Sequence, residues 1–294
     1  MDRFHARCQR FTSDRPDGPP APQELPVALI ALDLDDTLLG PDLEVSERAR
    51  AAIARAQGRG MRVTLATGRM FRSALPYARE LGLTTPLITY NGGLIKDPLT
   101  GEVLRLRTIA APLAREVALQ ARSEGLTLNV YLDDTLYVAE INPDVEYYLS
   151  IAQVEPHPVG DLVALLERES PRALPTKLLI CATEAEVDRL LPRLQERYRG
   201  RLRITRSKPR FIEIEPAEVN KGEALAYLAR HLGVERDRVM AVGDGENDLD
   251  MLLYAGISVA VRTAPPHVRA AARYLTGSAG EEGVAEAIER WALR

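Results

Sequence analysis

Short unbroken apolar runs, each closed by a small polar cluster, alternate along this chain with stretches of helical spacing. The first run, Val27–Leu32, stops abruptly at Asp33, Asp35 and Asp36, followed by Thr37. An apolar run of this length predicts a strand buried on both faces, as in a parallel sheet. Ser46 then reads as the N-cap of a helix through Ala49, Ile53 and Ala56 to Gly58. A second strand, Arg62–Ala66, ends at Thr67-Gly68-Arg69, and the helix after it runs to Leu81-Gly82. Pro86–Tyr90 is a third strand, ending at Asn91-Gly92-Gly93. Towards the C-terminus Asn220-Lys221-Gly222 opens a helix to His231, and Val239–Val242 is a fourth strand closed by Gly243–Asp248. A helix through Met251 and Leu252 stops at Gly256, Ile257–Val261 is a fifth strand, and a final helix carries Trp291 as an anchor at the core edge. Strands alternating with helices in this way predict an α/β fold, a doubly wound parallel sheet of Rossmann-like type.

Between about Ile95 and Pro216 the pattern changes to hairpins and mixed helices. Val103–Arg107 reads as a strand, and Pro112–Glu124 as an amphipathic helix closed by Gly125. Leu126–Leu132 and Leu136–Glu140 flank Asp133-Asp134-Thr135 as a hairpin. Asp161 begins another helix, Lys177–Cys181 is a strand, and Thr183 with Glu186 forms a capping box. The helix that follows contains Pro192, which predicts a kink or an early end. Two strands, Leu202–Thr205 and Phe211–Ile214, close this α+β module, which interrupts the α/β core. The expected division is a proline-rich tail over 1–26, core over 27–94 and 217–294, and the inserted module over 95–216.

Composition narrows the function classes. Length (294 residues) allows about two domains. Lys+Arg 38 against Asp+Glu 42 gives a net charge of -4, so no general basic surface recommends nucleic acid as a partner. No apolar stretch approaches the roughly 20 residues that span a bilayer, and the basic N-terminus has no apolar core of a secretory signal. Cys8 and Cys181 make neither a disulfide framework nor a metal spacing, which fits free thiols in a cytoplasmic protein. The four histidines, His5, His157, His231 and His267, are scattered and read as structural or surface residues.

The polar clusters fall where an open parallel sheet puts its ligands, just beyond the carboxyl ends of its strands. Asp33 and Asp35, two apart, can point the same way into one pocket while Asp36 faces elsewhere. Carboxylates that close need a cation or a shared proton. Asp33 and Asp244 are hard oxygen ligands suited to Mg²⁺. Thr67 offers a hydroxyl, Gly68 lets backbone N–H groups approach a phosphate, and Lys221 is a point positive charge for it.

This set resembles the haloacid dehalogenase (HAD) superfamily, whose four motifs match in order. Asp33-Leu-Asp-Asp-Thr37 is similar to the first, with nucleophile then acid/base. Thr67 in Leu-Ala-Thr-Gly-Arg69 matches the second, Lys221 the third, and Gly-Asp-Gly-Glu-Asn-Asp248 the fourth. The long insertion between the second and third motifs resembles that of Cof-type phosphatases with a type IIB α/β cap, as do Asn91-Gly92-Gly93 and Phe211–Ile214. The resemblance implies a Mg²⁺-dependent phosphatase acting on small phosphorylated metabolites through an aspartyl-phosphate. Asp33 and Asp35 would be catalytic, and Leu34, Thr67, Gly68, Lys221 and Asn247 would bind phosphate. Asp33, Asp244 and the backbone carbonyl of Asp35 would hold the metal, with Asp248 supporting it. It further implies a monomer or weak homodimer.

A phospho-aspartate signalling module of the response-regulator type is the rival. It would be compact, about 120 residues, and would not need a second module inserted between its hydroxyl and lysine strands. A dehalogenase would need neither the Mg²⁺ site nor the second acid, while a phosphomutase stays within the same chemistry. Leu132-Asp133-Asp134-Thr135 echoes Leu34-Asp35-Asp36-Thr37 but has Tyr131 in place of the nucleophile, so it reads as a hairpin turn.

Overall fold

The computed structural model describes residues 26–170 and 173–294. The proline-rich stretch, apart from Pro26, lies outside the described residues, as do Cys8 and His5. The chain opens with β1 (Leu29–Leu32), α1 (Glu47–Gly58), β2 (Arg62–Leu65) and α2 (Phe71–Glu80). Ser46 caps α1 by accepting the Ala49 N–H, as its place before the apolar stripe predicts. β3 (Leu87–Thr89), β4 (Leu94–Lys96) and β5 (Val103–Leu106) form a separate three-stranded sheet. This corrects one expectation: β3 does not extend the parallel sheet but pairs antiparallel with β4, meeting the end of β2 only through a bridge between Ala66 and Ile88. The reason is local. Tyr90, Asn91 and Gly92 take left-handed φ of 51°, 53° and 102°, which fold the chain straight back after β3.

The inserted stretch contains α3 (Ala111–Ser123), β6 (Thr127–Leu132), β7 (Thr135–Val138), α4 (Pro143–Ala152), β8 (Pro156–Pro158), α5 (Leu162–Glu169), β9 (Lys177–Cys181), α6 (Glu184–Arg197), β10 (Leu202–Lys208) and β11 (Phe211–Pro216). Its six strands order as β10-β11-β9-β6-β7-β8. One face, with Val130, Leu178, Ile180 and Ile212 among its residues, forms an apolar core with α3, α5 and α6. On the other face Tyr131 and Lys177 are register neighbours, and the Lys177 ammonium lies 5.0 Å from the Tyr131 ring centre. Helix α6 neither ends nor restarts at Pro192. The Thr183–Glu186 capping box fixes its start, and the buried Val187, Leu190 and Leu194 keep its apolar stripe continuous past the proline. Two elements went unforeseen, α4, which Asn142 caps with Pro143 behind it, and β8, a Pro-His-Pro edge strand beside β7.

The chain then runs through α7 (Lys221–His231), β12 (Val239–Gly243), α8 (Leu249–Tyr254), β13 (Ile257–Val261), α9 (Pro266–Ala271), β14 (Tyr274–Thr276) and α10 (Gly283–Ala287). The α/β sheet orders as β14-β13-β12-β1-β2, with every neighbouring pair parallel. β14, three residues long, is too short to carry a period of its own. Trp291, in the π-helical segment Ile288–Ala292 that continues α10, stacks on Tyr274 of β14 with ring centres 4.9 Å apart.

The described chain divides into two compact units. One holds the residues up to Gly68 with Ala74–Leu104 and Asn220–Arg294; the other holds Arg69–Ser73 with Arg105–Val219. Among the described residues no helix is long and apolar enough to cross a membrane.

Candidate active site

The α/β unit gathers its charges at the carboxyl ends of β1 and β12 and at the amino end of α7. β1 and β12 are parallel neighbours with Leu32 opposite Val242, and the Asp33 N–H donates to the Val242 carbonyl at 3.0 Å. That bond continues the ladder one residue past β1 and brings Asp33 level with the turn that carries Asp244. Beyond it the chain leaves strand geometry: Asp36 has φ 62°, and the Leu34 carbonyl accepts from Leu38 N–H and Leu39 N–H. The strand alternation that would aim Asp33 and Asp35 alike therefore ends at Asp33 and does not reach Asp35. Asp35 is half-buried in the turn, its backbone bridged to Leu39.

Lys221 opens α7, whose N-cap Asn220 accepts the Glu223 N–H at 2.7 Å. Its ammonium, wholly buried, donates to Asp33 Oδ1 at 2.5 Å and to Asp248 Oδ1 at 2.6 Å. The other Asp248 oxygen accepts the N–H groups of Asp244 and Gly245 at 2.9 and 2.8 Å, which fastens the turn after β12. Only glycine fits at 243, because a Cβ there would stand 2.6 Å from the Asp248 carboxyl carbon. Gly222 is equally constrained, since a Cβ would lie 2.4 Å from the Asp250 carbonyl oxygen where α7 meets α8. Thr37 donates its hydroxyl to Asp244 Oδ1 at 2.6 Å.

Carboxylate oxygens of Asp33, Asp244 and Asp248 all lie within 4.8 Å of one another. Three carboxylates around one ammonium leave two negative charges in excess. Burial, then the Asp248 charge, push the Asp33 carboxyl well above the usual range, with Lys221 pulling the other way. Burial and Asp248 likewise push Asp244 up to about 6. Burial would depress Lys221, but Asp248 and Asp33 outweigh it and hold its pKa above the ordinary lysine value. A set of hard oxygen donors with surplus negative charge fits a divalent cation such as Mg²⁺.

Thr67, at the end of β2, is buried, with its N–H on the Ile88 carbonyl and its own carbonyl accepting from Asn91 N–H. Asn247 donates to Asn91 Oδ1 at 3.0 Å, joining the fourth motif to the turn after β3. Two contributors were not singled out from sequence. In the sequence Asn91 stands out only as the head of Asn91-Gly92-Gly93 and Thr37 only as the end of the first motif, neither with a role at the site. A buried asparagine at left-handed φ, directly after a strand, is the signal for the first.

Residues 30–288 match the model of the haloacid dehalogenase-like hydrolase family. The 5-amino-6-(5-phospho-D-ribitylamino)uracil phosphatase YitU of Bacillus subtilis is 31% identical, over 90% of this chain and 97% of its own. A haloacid dehalogenase-like hydrolase structure from Bacteroides thetaiotaomicron is 31% identical over 90% of this chain and 99% of that one, with a TM-score of 0.82. The HAD subclass IIB sugar phosphatase BT4131 shares the fold at 24% identity and a TM-score of 0.77, over 91% of this chain and all of that one. The chain belongs to the haloacid dehalogenase-like hydrolase family. Within it, the protein is a phosphatase of the Cof type, an α/β core carrying an inserted α+β cap.

Proposed function

We propose that this phosphatase hydrolyses small phosphorylated metabolites through an aspartyl-phosphate on Asp33, with Mg²⁺ as its cofactor. The Lys221 ammonium held between Asp33 and Asp248, with Asp244 alongside, is the observation that carries this reading. It pulls the buried Asp33 carboxyl towards its anionic form, against burial and the Asp248 charge, and an anionic carboxylate can attack phosphorus. Asp33 and Asp244 would hold the cation together with the Asp35 carbonyl, and Asp248 would support them. When bound, Mg²⁺ supplies the positive charge that offsets repulsion between the Asp33 carboxylate and a phosphate dianion.

Asp33 attacks phosphorus as the bond to the leaving oxygen breaks, and Asp35 gives that oxygen its proton. Asp35 then takes a proton from water, whose oxygen attacks phosphorus and releases orthophosphate and Asp33. Lys221 has three donors and gives two to Asp33 and Asp248, which leaves the third for a phosphate oxygen. The Thr67 hydroxyl, the backbone at Gly68 and Leu34, and the Asn247 amide complete the phosphate seat. The stretch 95–216 acts as a mobile cap that contacts the rest of the substrate and sets its choice. YitU, by its name, acts on a phosphorylated ribitylamino-uracil, and a soluble phosphorylated metabolite of comparable size is the class proposed here.

The test is hydrolysis of p-nitrophenyl phosphate before and after EDTA. Turnover should vanish on chelation and return with added Mg²⁺. A rate indifferent to both would remove the metal from this reading.

A further inference from the structure

Helix α2 has no acidic residue in its first turn, yet the first N–H groups of a helix need acceptors and its positive end favours an anion. The acceptor comes from 63 residues away, in the two-residue turn between β6 and β7. Asp134 Oδ1 accepts the Phe71 N–H and Oδ2 accepts the Arg72 N–H, both at 2.8 Å. Arg72 folds around the same turn, its Nε 3.7 Å from Asp134 Oδ2 and its Nη2 donating to Thr135 Oγ1 at 3.2 Å. Arg69–Ser73 accordingly belong to the same compact unit as this turn, while α2 from Ala74 onward belongs to the other.

The turn itself is unusual for the residues it contains. Asp133 and Asp134 both have left-handed φ, 47° and 57°. Two-residue hairpins of this geometry favour glycine as their second residue. A side chain there is strained, and strain at a defined place points to a use for the group that causes it. Here the group is a carboxylate that caps a distant helix with both oxygens.

That helix starts three residues after Gly68. Given the phosphate seat proposed above, on which this step rests, we infer that Asp134 is a positioning residue. It fixes the first turn of α2 and, through Arg69 and Met70, the backbone of Thr67 and Gly68. Loss of Asp134 would loosen the phosphate seat without removing any group from it.

Asp134→Gly tests this cleanly, because glycine suits the turn and the variant is expected to fold with its Tm unchanged. Asp134→Asn keeps an uncharged acceptor. Amide exchange at Phe71 and Arg72 should quicken about tenfold or more in the glycine variant. Its kcat/KM should fall about tenfold, and by the same factor for p-nitrophenyl phosphate and glycerol phosphate, since the seat holds the phosphate common to both. The asparagine variant should fall between. Unchanged exchange would show that Asp134 does not hold α2. Faster exchange with intact kcat/KM would reduce it to a helix cap, and a loss confined to one ester would move its role to the leaving group. Thr67→Ala separates the two levels: if it leaves turnover intact, the phosphate seat itself is misassigned while the exchange result stands.

Discussion

Each unit buries a lysine against carboxylates, and the two solutions differ in kind. Lys221 is drawn from the start of a helix, Asp33 from the end of β1 and Asp248 from the start of α8; three chain segments meet at one ammonium. Lys177 lies within β9, and its partner Glu213, at 3.0 Å, lies on the adjacent strand β11. For both, burial lowers the lysine pKa and the neighbouring carboxylates more than restore it. The first cluster carries surplus negative charge at the end of a parallel sheet, where ligands bind. The second joins one ammonium to a carboxylate across a sheet face. A buried pair of that sort is weak evidence for stability and can often be replaced by apolar residues of similar volume.

The sharpest break comes from Asp33→Asn. A neutral amide neither attacks phosphorus nor binds a cation well, so turnover should fall by about 10⁴-fold or more. Activity within about tenfold of the parent in the purified variant would remove the contrast between the two lysines. Asp35→Asn should slow an alkyl phosphate by about 10²–10⁴-fold through lost acid catalysis. With p-nitrophenyl phosphate the same variant should release a burst of nitrophenol, near one equivalent per site, and then stall. Equal losses in both burst phases would make Asp35 structural.

The Lys177 pair should respond through stability. Lys177→Met leaves a buried carboxylate and should cost about 3–5 kcal/mol in denaturant unfolding. Lys177→Met/Glu213→Leu should regain at least half of that and keep hydrolysing p-nitrophenyl phosphate. The matching pair in the other unit, Lys221→Met/Asp248→Leu, should stay inactive whatever its Tm. A double Lys177 variant that is folded but inactive would mean that both lysines serve the chemistry. The smallest effect concerns the far end of β9. Burial, reinforced by the Asp144 charge, pushes the Cys181 thiol up to about 12. In a Cys8→Ser background, iodoacetamide at pH 8 should leave Cys181 unmodified until the protein unfolds. Rapid native-state labelling would show that the sheet opens locally.

The parallel strands and most helices were legible because their signals are local: an apolar run, a cap residue, a helical stripe. Asp33, Lys221, Asp244 and Asp248 were legible because strand ends in such a sheet converge whatever lies between them. What escaped depends on three-dimensional detail. β3 leaves the parallel sheet because three consecutive left-handed residues, Tyr90, Asn91 and Gly92, reverse the chain, and β14 and β8 are too short for periodicity. Pro192 reads as a breaker in sequence, but the buried stripe on either side of it keeps α6 whole. The carboxylate that caps α2 lies 63 residues downstream of the helix it caps, beyond the reach of any window along the sequence.

Trp291 is the single tryptophan of the chain, and it stacks on Tyr274 at the outer edge of the α/β sheet. Its fluorescence therefore samples that unit alone, whereas far-ultraviolet circular dichroism sums the helices and strands of both. During a denaturant titration the two signals coincide only if the units unfold together. Should the inserted unit melt first, ellipticity would drop while the indole emission stayed native. The protein thus contains a built-in optical label for measuring how tightly the folding of its two parts is coupled.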